Sequence, residues 1–244
     1  MYGMYGYGYG YGLDPTIILV LIGVALSLWA QGRVNSTFSR YSRVRSMTGM
    51  TGAEAARRLL NAQGIYDVTV QQIAGELTDH YDPRTKTVNL SQSVYGATSV
   101  AAIGVAAHEC GHAMQDNEGY APLRFRSALV PAANFGSKLS WPLILLGLVF
   151  GGLGSPLVEI GILMFSLAVL FQLVTLPVEY NASARAVRLL DAQGILAGEE
   201  VNGTRKVLNA AALTYVAALL MSALQLLRYV LIFVGRNNRG RRDN

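Results

Sequence analysis

His108 and His112 stand four residues apart, with Glu109, Cys110 and Gly111 between them. That interval is just over one helical turn, so on a helix both imidazoles share a face and can present two nitrogens to one metal ion. Glu109 lies beside such an ion, placed to act on its water rather than to ligate. This is the His-Glu-x-x-His arrangement of zinc peptidases. Zinc lowers the pKa of a coordinated water to about 7 and polarises a carbonyl. The glutamate accepts the water proton and passes it to the leaving amine. The chain holds three histidines, and two of them fall in this motif, which makes a chance match less attractive; His80 is the third.

A catalytic zinc needs a third protein ligand and an open position. The metzincin pattern places that ligand six residues after the second histidine. Here the position is Glu118, and Gln115 stands where the pattern wants glycine, so the pattern fails twice. A glutamate on a later helix is the other solution. Glu179 fits it, because it directly follows an apolar block and so stands at the same membrane face as the motif helix. Cys110 is the single cysteine, which excludes an intramolecular disulfide. Between two ligand candidates a nucleophile role must be weighed, but a small buried residue on the helix is the better reading.

The elements that must position these groups are those of a membrane protein. The chain is 52% hydrophobic and 14% charged, against about 25% charged in a soluble domain. The apolar excess is concentrated in four blocks, at about 15–30, 139–153, 157–176 and 211–234. Net charge is +5, but the basic residues cluster beside the apolar blocks, as membrane topology requires. That placement argues for a lipid bilayer and against nucleic acid as the partner. Arg33, Arg40, Arg43 and Arg45 follow the first block and no basic residue precedes it, so residues 31 onward are expected in the cytoplasm. The link at 151–156 has no Lys or Arg and is expected outside. If all four blocks span, the basic C-terminus lies outside, yet 15 of the 20 Lys and Arg remain cytoplasmic. Alternatively the last block packs against the catalytic part without crossing. Arg228, inside it, can snorkel or pair in either case.

The expected fold class is a mainly α membrane protein: about four transmembrane helices with a small α+β catalytic domain. Residues 1–12 are a low-complexity Tyr/Gly tract that cannot bury a core. A transmembrane helix covers 15–31. The first part of the catalytic domain covers 33–126. Within it a Thr51/Glu54 capping box opens a helix that runs to about Ala62 and is closed by Gly64. Stretches 67–73 and 86–90 alternate as short strands, read as a hairpin or edge sheet, and a helix over about 97–116 carries the motif. A transmembrane hairpin covers 139–177. The second part of the catalytic domain covers 178–206 and carries Glu179. A C-terminal helix, read as transmembrane, covers 207–234, and a basic tail covers 235–244. The segments ARRLLNAQGI (56–65) and AVRLLDAQGI (186–195) resemble each other, which reads as two helices with the same glycine C-cap rather than as a duplicated domain.

Three stretches, AAHECGHAMQ (106–115), LTDHYDPRTKT (77–87) and PVEYNASARA (177–186), resemble the YugP-type family of bacterial neutral zinc metallopeptidases. The resemblance covers nearly the whole chain beyond the Tyr/Gly tract. More distantly, the chain is similar to the membrane gluzincins of the heat-shock and CAAX-prenyl protease group, in which a helical hairpin also separates the motif helix from the glutamate helix. The resemblance implies a zincin-like domain, one catalytic Zn2+ held by His108, His112 and Glu179, and Glu109 as the catalytic residue. The distant relatives usually carry an aspartate four residues after the ligand glutamate. Ser183 holds that position here, so Asn181 or Ser183 becomes the candidate to hydrogen-bond a ligand histidine. By analogy with gluzincins, strand 86–90 or 67–73 is a candidate to align substrate backbone by strand addition. His80, Tyr81 and Arg185 are candidates to stabilise the oxyanion.

The expected function is a zinc-dependent metalloendopeptidase of the bacterial cell membrane, multi-pass, with its site on the cytoplasmic side. Its partners would be a peptide or protein substrate, membrane proteins included, and a second copy of the chain or another membrane protein. Two competitors come from other classes. A non-catalytic zinc-binding scaffold would keep its cellular role without Glu109. A transporter or channel would need charges at mid-membrane, and the blocks carry mainly Glu159 near an end and Arg228.

Overall fold

The computed structural model describes residues 14–152 and 155–240. The Tyr/Gly tract at 1–12 lies outside the described residues. Helix α1 (Ile17–Tyr41) is followed by α2 (Gly52–Ala62), strands β1 (Thr69–Gln72), β2 (His80–Asp82) and β3 (Thr87–Leu90), the short α3 (Gln92–Tyr95), α4 (Val100–Asn117), α5 (Ala121–Gly151), α6 (Pro156–Ala192) and α7 (Glu199–Gly240). The protein is a mainly α membrane protein: α1, α5, α6 and the 199–233 part of α7 are each long and apolar enough to cross a bilayer.

α2 starts as its sequence predicts. The Thr51 hydroxyl accepts from the Glu54 N–H at 3.2 Å, and the Thr51 N–H donates to the Glu54 carboxylate at 2.8 Å. Such a cap is worth about 1 kcal/mol. Its far end and that of α6 close in the same way. Gly64 and Gly194 take φ of 70° and 59°, and Ile65 and Ile195 return their N–H groups to Leu60 and Leu190. The ten-residue likeness is therefore a shared glycine stop, after which each isoleucine drops into the core.

The stretches 67–73 and 86–90 do pair, as β1 and β3, but in parallel and so not as a hairpin. The antiparallel partner of β3 is β2, from the turn-rich stretch between them, and the order is β1-β3-β2. β3 is the central, fully buried strand. The 86–90 stretch therefore has neighbours on both sides and cannot accept a substrate strand; the sheet edges are β1 and β2.

One core joins the segments 33–126 and 178–206, which the sequence separates. Leu59 and Leu60 of α2, Leu90 of β3 and Ile103 of α4 pack in the same cluster as Leu190 of α6 and Leu208 of α7. A fully buried Leu or Ile of this kind stabilises by about 1.5–3 kcal/mol. The insertion between the segments is the α5–α6 hairpin, and its helices are longer than the apolar blocks suggest. α5 runs on through Pro131 and Pro142, and α6 through Pro177. The boundary drawn between 177 and 178 is therefore not a break in the helix. Each proline removes one N–H, a loss that apolar spans tolerate when neighbouring helices pack against them. As a result Glu179 sits on the unbroken continuation of a long apolar helix.

α1 and α7 run antiparallel. Gly23 faces Met221 and Gly203 faces the Tyr41 ring. At the far end Arg228 lies 3.5 Å from the Asp14 carboxylate and donates to the Thr16 hydroxyl at 3.3 Å, the pairing expected of a cation inside an apolar helix. Only 6% of the most apolar window of α7 is buried inside the protein. That disfavours packing against the catalytic part as the explanation of the last block. α7 also continues as helix to Gly240, so the basic tail begins as helix rather than coil.

Candidate metal centre

α4 begins at Ser99, whose hydroxyl accepts from the Ala102 N–H at 3.2 Å. Its small residues Ala101, Ala102, Ala106 and Ala107 are wholly buried, which lets neighbouring helices approach. The closest approach is at Gly111. A Cβ there would stand 2.6 Å from the Ala182 carbonyl oxygen and 3.1 Å from its Cα, so the motif glycine is where α6 meets α4. Glu179 and Ser183, on the same stretch of α6, are thereby brought against the motif. Gly111→Ala is expected to force the helices apart, at a cost of about 1–3 kcal/mol. A lowered thermal midpoint together with weakened zinc retention checks this; an unchanged midpoint would refute the tight approach.

His108, His112 and Glu179 form one cluster whose donor atoms all lie within 4.8 Å of one another. Glu179 Oε2 is 3.2 Å from His108 Nε2 and 3.5 Å from His112 Nε2. The imidazoles meet edge-on at 84°, with centroids 4.7 Å apart. Three donors about 2.0–2.1 Å from a tetrahedral ion would stand about 3.3 Å apart, so this donor set fits a zinc ion. Glu118, the alternative third ligand, is not near it. It caps α4, with its carboxylate half-exposed and 2.6 Å from Arg185.

The other ring nitrogens are held from behind. Gln115 is fully buried, and its amide Nε2 donates to the Val178 carbonyl at 2.9 Å and to Asn181 Oδ1 at 3.0 Å. Its Oε1 is therefore the acceptor for His112 Nδ1 at 3.0 Å. That bond keeps the proton on Nδ1 and leaves Nε2 bare toward the metal position. His108 Nδ1 lies 3.1 Å from the Ser183 hydroxyl. Ser183 thus touches a candidate ligand directly, and Asn181 reaches one only through Gln115. Arg185 stands further back, donating to Asn181 at 2.7 Å.

The candidate oxyanion groups are turned elsewhere. Both ring nitrogens of His80 are engaged at the sheet, by the Thr78 carbonyl at 2.9 Å and the Asn89 amide at 3.2 Å. Tyr81 donates to Asp116 at 2.8 Å; burial, and then that hydrogen bond, push its hydroxyl above the usual tyrosine range. Arg185 is committed to Asn181 and Glu118. The structure brings two residues with no motif signal to the site instead. Arg126, on α5, places Nη1 3.5 Å from Glu179 Oε1. Tyr215, on α7, lines with His108, Glu109 and Glu179 a cavity of about 190 Å³. Asp79 closes another side of that cavity. Burial raises its carboxyl above the ordinary range, although the Ser91 N–H and hydroxyl hydrogen bonds oppose this. Cys110 faces away, its thiol fully buried and pointing at the Ala56 carbonyl. Burial pushes that thiol up, the neighbouring Glu109 adding to the effect, so it is a packing residue and not a thiolate nucleophile.

Comparison with known proteins agrees in kind. The family model described as "Putative neutral zinc metallopeptidase" matches residues 16–234. The chain is 49% identical over 228 residues to "Putative membrane protease YugP" of Bacillus subtilis (strain 168), an alignment spanning 93% of this chain and 99% of that protein. No solved structure matches it.

Proposed function

The chain belongs to this zinc metallopeptidase family, and from that premise we propose that it hydrolyses peptide bonds at the cytoplasmic surface of the bacterial membrane with a zinc-activated water. The observation that carries the reading is the convergence of His108, His112 and Glu179 on one point, with His108, Glu109 and Glu179 lining one cavity. Zinc bound there would supply the Lewis acidity that activates water and polarises the scissile carbonyl. His108 and His112 present their Nε2 atoms because Ser183 and Gln115 hold the opposite nitrogens. Glu179, 2% exposed, completes the set with a buried negative charge.

Glu109 lines the same cavity as His108 and accepts the proton of the attacking water, returning it to the leaving amine. Tyr215 lines the cavity from α7 beside Glu179, and we propose its hydroxyl as a donor to the developing oxyanion. The cavity is lined by Val34 of α1 and by Ala211 and Tyr215 of α7. Those residues lie where the two helices pass from polar to apolar sequence, so the scissile bond is handled at the membrane boundary. The cytoplasmic orientation rests on the arginines that follow the first span.

The test is cleavage of an unstructured peptide library by the purified full-length protein. Activity is expected to vanish with a chelator and to return on adding one equivalent of zinc. Cleavage that survives complete zinc removal would refute the reading.

A further inference from the structure

A second cavity, of about 680 Å³, opens between α1 and α7. Its walls are two helix faces. α1 contributes Arg33, Ser36, Thr37, Arg40 and Tyr41, at the three- and four-residue spacings of one face. α7 contributes Lys206, Asn209, Ala210 and Leu213 in the same manner, and α6 adds Tyr180. Three cations therefore ring one space with hydroxyl and amide groups between them, and no carboxylate lines it.

The cations are also uncompensated: among the described residues Arg33, Arg40 and Lys206 have no carboxylate within 4.0 Å, and none lines the space they share. Three like charges around a shared space repel one another, and an anion inside the space relieves that repulsion.

The depth of the cavity says which anion. The apolar stretch of α1 ends near Ala30 and that of α7 begins near Ala211. Because the two helices are antiparallel, both changes fall at one level, and the cavity straddles it. Trp29, 55% exposed, lies one turn to the apolar side, where interfacial aromatic residues gather. Ala210 and Leu213 form an apolar wall, and exposed apolar residues on the same helix faces, Ile22 and Leu220 for example, continue it along the spans. A free phosphate ion would use the cations and leave this wall idle. The volume is also that of a small-molecule site rather than of a bare ion.

We infer that this cavity binds the phosphate headgroup of an anionic phospholipid, with the acyl chains lying along the apolar flanks of α1 and α7. Arg33, Arg40 and Lys206 hold the phosphate, and the flanking hydroxyls and the Asn209 amide hold the rest of the headgroup. The bound lipid bridges the helices that also carry Val34 and Tyr215, and so braces the wall of the metal-site cavity. The inference needs only the spanning helices and stands whether or not the protein is a peptidase.

The experiment is native mass spectrometry of the full-length protein in neutral detergent, titrated with phosphatidylglycerol or with phosphatidylcholine of the same chains. One phosphatidylglycerol is expected to be retained in preference to phosphatidylcholine. The triple variant Arg33→Gln/Arg40→Gln/Lys206→Gln is expected to lose about tenfold or more in that affinity while keeping its zinc. The charge-matched variant Arg43→Gln/Arg45→Gln/Arg84→Gln, altered at exposed arginines outside the cavity, is expected to bind like wild type. Where the triple variant does not fold, Lys206→Glu alone gives the same comparison. Equal binding by the cavity variants would overturn the proposal, as would equal loss in the charge-matched control. Inorganic phosphate that binds as tightly as the lipid would make the ligand a free anion. An acidic peptide that binds more tightly would make it a protein segment. Either result overturns the lipid assignment.

Discussion

Glu109→Gln is expected to lower kcat/KM for peptide cleavage by about a thousandfold or more while leaving zinc content unchanged. General acid–base catalysis contributes about 10²–10⁴, and a thousandfold corresponds to about 4 kcal/mol of transition-state stabilisation. The two parts of the expectation come from different observations. Glu109 stands outside the donor cluster of His108, His112 and Glu179, so the amide removes a base and not a ligand. It is 7% exposed on a helix whose neighbours are close-packed, and glutamine keeps its shape. Tyr215→Phe gives a graded comparison in the same assay. Loss of a single oxyanion donor is expected to cost about 10²–10³ in kcat, with zinc again retained. Cleavage that persists at full rate in Glu109→Gln would remove the base from the mechanism. If instead peptide cleavage is absent from wild type and the cellular role survives Glu109→Gln, the protein acts as a zinc-binding scaffold.

What could be read from the sequence divides along physical lines. α2, its capping box and its glycine stop are written in residues that touch within one or two turns, and they were legible. The shared face of His108 and His112 depends only on the helical repeat. Glu179 was legible as a candidate because it follows directly on an apolar block, which fixes its depth even when its neighbours are unknown. The sequence is silent about contacts made across the fold. Gln115 reads there only as a residue that spoils the metzincin pattern, yet it orients His112 through Val178 and Asn181, more than sixty positions away. Arg126 and Tyr215 carry no local signature, since the packing of α5, α6 and α7 decides what they face. His80, Tyr81 and Arg185 drew attention by residue type, but type does not tell a group free to meet substrate from one already engaged by Asp116 or Glu118. The division between 177 and 178 fails for a related reason. An apolar span and the polar stretch after it look like two elements in sequence, yet the helix runs on through Pro177, as a packed apolar span allows, and the unbroken α6 carries Glu179 to His108.

Replacing Glu179 should remove the metal. Glu179→Gln is expected to weaken zinc binding by more than about a hundredfold, beyond the 10–100-fold typical of losing a group that only supports a ligand. The carboxylate is 2% exposed, and burying such a charge costs several kcal/mol unless cations surround it. In this structure they do: Arg126 lies 3.5 Å from Oε1, and the position between Oε2 and the two Nε2 atoms is one that a divalent ion fits. Glutamine keeps the volume, withdraws the negative charge, and leaves Arg126 facing the histidines without its counter-ion. The loss should also appear in stability. A ligand present at a hundred times its Kd adds about 2.7 kcal/mol to the folded state, so wild type should gain thermal stability with added zinc and Glu179→Gln should not. Glu118→Gln is the discriminating control. Its carboxylate bonds to Arg185 at the half-exposed end of α4, so zinc affinity is expected to stay within a few-fold of wild type. The converse pattern, with zinc kept by Glu179→Gln and lost by Glu118→Gln, would move the third ligand back to the end of the motif helix.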